Sequence, residues 1–453
     1  MVFSKISTRN DLADFLDIKR KDLAYILFIR KVDNYYDTFD IPKKNGGVRH
    51  ICASQGQLKI LQKKLSSALS KYVDEVRKKN NIKINISHAF EKNRDIISNA
   101  EVHKNKRIII SLDLNNYFDS FHIGRIIGFF EKNKYFQCSH EVAVTIAQIA
   151  CFHNHLPQGA PTSPIITNLI SQIFDYKILK ISKKYHLDYT RYADDLTFST
   201  NEKRMYEKKN RDLFLDEISA TVINSGFNLN VKKTRIVFNN SRQIVTGLVV
   251  NRKLNVPRDY FKKTRAMFHS FYKTGTYEDQ DEIKNGYAAL EGRFSFIDRT
   301  ERHNNELSKF NHEKNVKHDM YNLSLREREY RNFLFYITFI NNDKPLLFTE
   351  GHTDIIYIKA ALKNLHIFYP KLISKENDNF VYKVRFFNRT AKMNYFFGIS
   401  QHGADTMSNL YSIFFKGKKN KNNLSKYFLD KEAVSSSCPV LFIFDNETKK
   451  KEG

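Results

Sequence analysis

Cysteine is scarce. The four in 453 residues (Cys52, Cys138, Cys151 and Cys438) form no C-x-x-C pair and no zinc-ligand spacing. That disfavours a disulfide scaffold and fits reduced thiols in a cytoplasmic protein. Missing too is any apolar run near the ~20 residues that cross a bilayer. The opening stretch MVFSKISTRNDLADFL lacks the apolar core and cleavage site of a secretory leader. Neither secretion nor a membrane partner is expected. Internal repeats and long low-complexity tracts are absent as well. Acids are in deficit: 49 Asp and Glu face 75 Lys and Arg, a formal net charge of +26. Such a surplus sets up a long-range positive field, whose commonest partner is a polyanion, nucleic acid first.

Hydrophobic residues make up 41% and aromatic residues 13% of the chain, which argues against global disorder. At ~150 residues per domain the length allows two to four domains. Apolar periodicity runs from about Leu12 to Phe296, then turns polar over 299–318 (RTERHNNELSKFNHEKNVKH), a linker or an exposed helix. A second periodic region begins near Tyr330. Residues 341–453 hold 18 Lys and Arg against 11 Asp and Glu, so this part is basic too and is no acidic tail.

In the first region RIIISLDLNNYF reads as an apolar strand that ends in the carboxylate of Asp113. TSPIITNLISQIFDYKILKI sets Ile166, Leu169, Ile170, Ile173 and Phe174 at helical spacing, with Thr162 or Ser163 as cap and Pro164 in the first turn. LDYTRYADDLTFST reads as strand, tight turn, strand, with Ala193, Asp194 and Asp195 at the bend. This mixture suggests an α+β sheet covered by helices. Adjacent acids at a hairpin tip are usually turn formers or solvated charges. Here both flanks are apolar strand, and a third carboxylate ends another apolar strand. Acids gathered at strand ends repel one another unless cations neutralise them. An all-oxygen donor set favours Mg²⁺ or Mn²⁺, and a pair of such ions can activate an attacking hydroxyl and stabilise a leaving pyrophosphate.

YADD (Tyr192–Asp195), LDLNNYFDSF and LPQGAPTSP together resemble the palm of a reverse transcriptase of the retron group, within the group II intron-like bacterial branch. The order of blocks agrees: IPKKNGGVRHI (41–51), SHAFEKNRDI (87–96), Asp113, Gln158-Gly159, YADD, GFNLNVKKTRI (226–236) and Val245-Thr246-Gly247. The resemblance implies a right-hand polymerase with fingers and palm over about 1–250 and a thumb over about 251–298. It implies two Mg²⁺ ions held by Asp113, Asp194, Asp195 and the Leu114 carbonyl. Phe118 would exclude a ribose 2′-OH, Lys43 or Lys44 with Arg49 would grip the triphosphate of a dNTP, and Gln158 would line the nucleotide pocket. Lys232 or Lys233 would protonate pyrophosphate, or stay a solvated charge. Asn99 and His103, of an N-A-x-x-H segment, and the V-T-G triplet are implied to serve RNA. The expected partners are a cognate non-coding RNA and the branched RNA-linked DNA (msDNA) copied from it, in a complex that could oligomerise. Lys262, Lys263, Arg265 and Lys273, on a basic and aromatic helix, would track phosphates or face solvent.

Beyond the polar segment (299–340), KPLLFTEGHTDIIYIKAAL (344–362) places Glu350 at a strand end and Asp354 in the first turn of a helix, where its charge is favoured. PVLFIFDNE (439–447) is a second apolar strand closing on Asp445 and Glu447. Carboxyl ends of parallel strands line binding crevices, so these three acids could chelate Mg²⁺ or Mn²⁺. The pattern resembles the Toprim domain, an α/β Rossmann-like module of primases, topoisomerases and OLD-family nucleases, over 341–453. Glu350 would be general acid/base or metal ligand, and Asp445 and Glu447 metal ligands. Glu447 departs from the usual Asp. Such a sheet ordinarily continues further, so a domain truncated at its carboxyl end is expected. Lys416, Lys418, Lys419 and Lys421 form an exposed basic loop or a nucleic-acid contact.

The expectation is thus an RNA-directed DNA polymerase of a retron fused to a Toprim nuclease-like effector in defence against bacteriophage. One competitor is a group II intron-type mobility enzyme, weakened because no Cys/His nuclease pattern follows the thumb. Another is a non-catalytic RNA/DNA-binding scaffold, for which clustered acids would be a liability.

Overall fold

A computed structural model describes residues 3–43, 46–82, 86–311, 322–399, 404–417 and 423–444. The chain divides into two compact units, Met1–Leu254 and Asn255–Gly453.

The first unit is built on a five-stranded antiparallel sheet. Strand β3 (Ile108–Asn115) is its axis, with seven of eight residues out of full solvent contact. It pairs antiparallel with β5 (Asp195–Thr200) on one side. On the other side it meets β6 (Asn228–Leu229) and β7 (Arg235–Phe238) at successive positions. The outer strand β4 (Asp188–Tyr192) forms a hairpin with β5. A run such as Ile108-Ile109-Ile110 suits a strand covered on both faces. Helices Ser163–Lys184 and Lys208–Asn224 supply Ile166, Phe174, Phe214 and Ile218 to the same core. Phe198 is completely buried, stacks on Tyr189 at 4.9 Å and meets the edge of Phe214 at 5.2 Å. Each such ring contributes about 2–3 kcal/mol of burial. Thr162 takes the N-cap position of helix Ser163–Lys184 and Pro164 its first turn, but neither Thr162 nor Ser163 caps it: the Thr162 hydroxyl makes no cap hydrogen bond and Ser163 Oγ donates back to Pro157 O at 2.7 Å. Ile173, assigned to its apolar face, is instead 57% exposed, since its direction falls outside the stripe that meets the sheet.

Strands β1 (Tyr36–Pro42) and β2 (Val48–Ser54) form a separate exposed hairpin, closed by Gly46 and Gly47 at φ 85° and 79°. A last short hairpin pairs β8 (Ile244–Val245) with β9 (Leu248–Val249).

The second unit begins with helix Arg258–Thr274, so the segment expected as thumb groups with the carboxyl-terminal residues rather than ending a first domain at 298. Aromatic packing is the reason: Phe268 meets Phe294 at 5.8 Å and Phe333 at 5.4 Å, and Tyr272 meets Phe428 at 5.5 Å. The polar stretch after 298 is helical at its start, within Ala288–Asn311. Thr300 and Glu301 are buried there, Glu301 paired with Arg326 at 2.8 Å, so this part is neither linker nor solvated face. Residues 312–321 lie outside the described residues. A three-stranded parallel sheet follows, with Leu346–Thr349 between Arg385–Phe386 and Val440–Ile443.

Candidate active site

The β4–β5 hairpin turns in two residues, Ala193 and Asp194, and Ala193 takes φ 55°. A left-handed alanine is strained by roughly 1–2 kcal/mol, and such strain persists where surrounding structure over-determines it. The register of β3 on β5 sets Asp113 opposite Asp195. Leu114 N–H donates to Asp194 O at 3.0 Å and Asn230 N–H to Asp113 O at 2.8 Å, which ties the hairpin, β3 and the 231–233 turn together.

Asp113 is therefore brought from a distant strand to the adjacent Asp194 and Asp195. Asp113 is buried, and its Oδ2 accepts from Lys233 Nζ at 2.8 Å. Lys233 rather than Lys232 reaches the site. Loss of hydration raises the Asp194 carboxyl, helped by Asp113 and opposed by Lys233 and Arg49. Asp195 stands at the solvent-facing rim, yet lost hydration first, then Asp194 and Asp113, push its carboxyl up to about 7. Among the described residues no group of three or more His, Cys, Asp or Glu side chains stands ready to hold a metal ion. Asp113 instead faces the Lys233 ammonium. The donor chemistry fits a hard divalent cation: oxygen ligands only, whose protonation is raised by lost hydration first and by mutual repulsion second, and a cation would offset both.

Phe118 opens a 3-10 turn five residues past Asp113, half-buried, its ring edge-on to Tyr117 at 5.5 Å. Gln158 O accepts from Cys52 N–H at 2.8 Å, linking β2 to the segment before helix Ser163–Lys184. Gly159 follows at φ 124°, and a Cβ there would lie 2.9 Å from Cys52 O, so glycine is required. Lys43 and Arg49 are exposed on the β1–β2 hairpin, and Arg49 acts on Asp194 through its charge. Lys44 lies outside the described residues.

An ion pair beneath the hairpin escaped the sequence reading. Arg191 is fully buried and grips Asp175 through Nε at 2.8 Å and Nη2 at 2.9 Å. Its Nη1 donates to Tyr117 Oη at 3.1 Å and to Ala193 O at 3.2 Å, under the strained turn. The available signal was an arginine inside an apolar strand and an aspartate inside an apolar helix.

The segments expected to touch RNA are placed differently. His103 is wholly enclosed, with Nδ1 2.7 Å from Ser199 Oγ and Nε2 2.7 Å from Thr190 Oγ1, and burial pushes its pKa down to about 3. It offers no surface to a ligand and instead braces β4 and β5. Asn99 is also buried, 3.5 Å from Thr246 Oγ1, and Thr246 donates to Ile96 O at 3.2 Å. Val245 is core. Thr246 and Gly247 form the β8–β9 turn at φ 44° and 84°. The two segments thus pack on each other, with Asn99 and Ile96 of helix Ile96–Val102 holding a threonine in a backbone region it rarely adopts.

In the second unit Glu350 follows strand Leu346–Thr349, beside the end of strand Val440–Ile443. Asp354 accepts from Gly351 N–H at 2.6 Å, capping helix His352–Asn364. Arg389 donates to Thr349 O at 2.8 Å within the field of Asp354 and Glu350. Asp445 and Glu447 lie outside the described residues, as do Lys418, Lys419 and Lys421. Of the cations expected to track phosphates, Arg265 pairs with Glu329 at 3.1 Å, Lys263 with Asp279 at 3.4 Å and Lys273 with Glu432 at 3.5 Å.

A β-sheet that presents three converging carboxylates at a strained hairpin is the palm of a right-hand polymerase, and the model of the family described as reverse transcriptase (RNA-dependent DNA polymerase) matches residues 41–280. The chain belongs to that family, among the retron reverse transcriptases. It is similar to one from Escherichia coli, 32% identical over 55% of this chain and 80% of the relative. Another, from Myxococcus xanthus, is 28% identical over 66% of this chain and 65% of the relative, so the chain spans less than two thirds of that protein. A solved telomerase from Candida albicans, in complex with a fragment of telomeric RNA, is 11% identical over 88% of this chain and 66% of that one. Its TM-score of 0.39 is too low to support a fold assignment. No described helix is long and apolar enough to cross a membrane.

Proposed function

We propose that this protein is an RNA-directed DNA polymerase that copies a cognate retron RNA into branched, RNA-linked single-stranded DNA (msDNA). The observation that carries the reading is the register of Asp113 against Asp195 with Asp194 beside them. In this reading Asp113, Asp194, Asp195 and the Leu114 carbonyl hold two Mg²⁺ ions. When bound, such ions lower the pKa of the attacking hydroxyl and stabilise the leaving pyrophosphate. Arg49 with Lys43 or Lys44 grips the dNTP phosphates on the exposed β1–β2 hairpin. Gln158 borders the nucleotide and Phe118 excludes the ribose 2′-OH. Lys233, whose ammonium stands 2.8 Å from Asp113 Oδ2, would deliver a proton to the leaving pyrophosphate. Asn99, His103, Val245, Thr246 and Gly247 serve RNA by shaping the fold behind the hairpin.

The second unit is proposed to carry a Toprim-like effector with Glu350, Asp445 and Glu447 as its acids and Mg²⁺ or Mn²⁺ as cofactor. It would act in the cytoplasm in defence against bacteriophage. The parallel strands bordering Glu350 are compatible with this, while Arg389 near that acid already balances part of its charge.

The deciding experiment is primer extension on the cognate RNA with wild type and with Asp194→Asn/Asp195→Asn. Incorporation that the double variant abolishes supports the reading. Synthesis retained by that variant removes the site. Free use of foreign templates indicates an intron-type enzyme, and no incorporation by wild type indicates a scaffold.

A further inference from the structure

The palm sheet has two ends. At one, Asp113 faces Asp195. At the other, the pairings of Ile108 with Thr200 and with Phe238 bring together the start of β3 and the ends of β5 and β7. Arg107, Asn201 and Asn239 lie just beyond those strand ends, so they share one edge of the sheet. That edge is six residues along β3 from Asp113, roughly 20 Å at the rise of an extended strand.

A cavity of about 770 Å³ opens there. Lys106, Arg107, Lys203, Arg204 and Arg252 line it, and Glu202 is the only carboxylate among its described lining residues. Lys106 is held by Asp188 at 2.6 Å. Among the described residues no carboxylate pairs with Arg107, Lys203 or Arg252.

The floor beneath these cations is tightly built. Arg107 N–H donates to Asn201 Oδ1 at 2.9 Å, and Arg107 O accepts from Asn239 N–H at 2.9 Å. Asn105, at φ 57°, donates its N–H to Val250 O at 2.9 Å. Asn251 Nδ2 donates to Ser241 O at 2.7 Å. The backbone is therefore fixed while Arg107, Lys203 and Arg252 remain exposed, so binding an anion there would order little more than side chains. Like charges gathered in one concavity repel, and an anionic partner relieves that cost. A single small anion reaches two or three of these cations at most. A chain of phosphates satisfies them together.

We propose that this basic cradle binds the sugar–phosphate backbone of a nucleic acid, at the end of the palm opposite the carboxylates. Binding there needs no polymerisation, so its failure and that of the catalytic reading are separable.

The test is fluorescence anisotropy of the full chain with a labelled RNA hairpin and the DNA hairpin of the same sequence, over a salt series. Arg107→Ala/Lys203→Ala/Arg252→Ala is compared with Lys59→Ala/Lys63→Ala/Lys71→Ala, which removes equal charge from exposed positions of helix Gly56–Lys79. The cradle variant is expected to lose about tenfold or more in affinity. Its salt slope should fall by about 2 to 3, near 0.9 for each of up to three phosphate contacts removed. The control should change far less, and Arg107→Lys/Arg252→Lys should retain most of the affinity. Loss on both hairpins assigns recognition to the shared backbone, and loss on RNA alone adds the 2′-OH. Thermal melting checks that each variant folds, with Arg252→Glu alone as the substitute if the triple variant does not. Unchanged affinity and slope, or an equal loss in the control, overturns the proposal.

Discussion

Lys233 Nζ stands 2.8 Å from Asp113 Oδ2, inside the space where the three palm carboxylates converge. The ammonium offsets charge that would otherwise make the cluster costly, and Asp113 is in turn the first cause of the raised Lys233 pKa. Lys233 and a divalent cation therefore compete for one oxygen. The lysine is half-exposed, so the pair itself adds little to stability. Lys233→Met should lower the melting temperature only slightly. It should tighten Mn²⁺ binding several-fold in a calorimetric titration at neutral pH, and unchanged or weaker Mn²⁺ binding would contradict this competition.

Asp195 gives a pH signature. Its carboxyl is raised from 3.8 to about 7, so without metal the folded protein keeps a proton that the unfolded chain has released. That contribution is fully present below 3.8 and is lost as pH rises through about 7. Asp195→Asn should thus gain stability relative to wild type as pH climbs across that window, in melts run with chelator. Mg²⁺ should reverse the trend for wild type alone. A difference between the two proteins that stays flat with pH would refute the assignment.

His103 behaves in the opposite sense. Its pKa falls from 6.5 to about 3, so its contribution is present above 6.5 and is lost as pH drops toward 3. His103→Ala leaves the Ser199 and Thr190 hydroxyls without their ring partner and opens a cavity, a cost of about 2–4 kcal/mol at pH 7.5. Urea unfolding should show this gap shrinking at pH 5. Affinity of the folded variant for an RNA hairpin should match wild type. A selective loss of RNA binding would instead mean direct contact.

Arg191→Met strands the buried Asp175 carboxylate and should cost about 3–5 kcal/mol. Adding Asp175→Leu should recover much of that, since no buried charge then lacks a partner. The support under Ala193 is still missing in the double variant, so primer extension should remain slow even when stability returns. Recovery of full activity would show that the arginine serves stability alone.

Part of this molecule can be read without coordinates. RIIISLDL is a central strand because its apolar run is short, β-branched and closed by an acid. Pro164 marks a helix start because its fixed φ suits the first turn, whereas the expected cap from Thr162 or Ser163 does not form. YADD between alternating strands is a hairpin. The polar text after 298 misleads, because Glu301 and Arg326 become each other's environment and can both leave solvent. His103 misleads likewise: a motif position suggests contact, while two hydroxyls on neighbouring strands make it core.

Composition, periodicity and ordered motifs determined the polymerase palm, its acids and the basic character of the chain, since all of these are written in neighbouring residues. Only the tertiary structure decided that Lys233 and not Lys232 reaches Asp113, that Arg191 and Asp175 support the turn, and that cations from separate loops share one cradle. Those outcomes depend on strand register and burial, which arise when distant segments compete for the same partners. No local spacing encodes that competition.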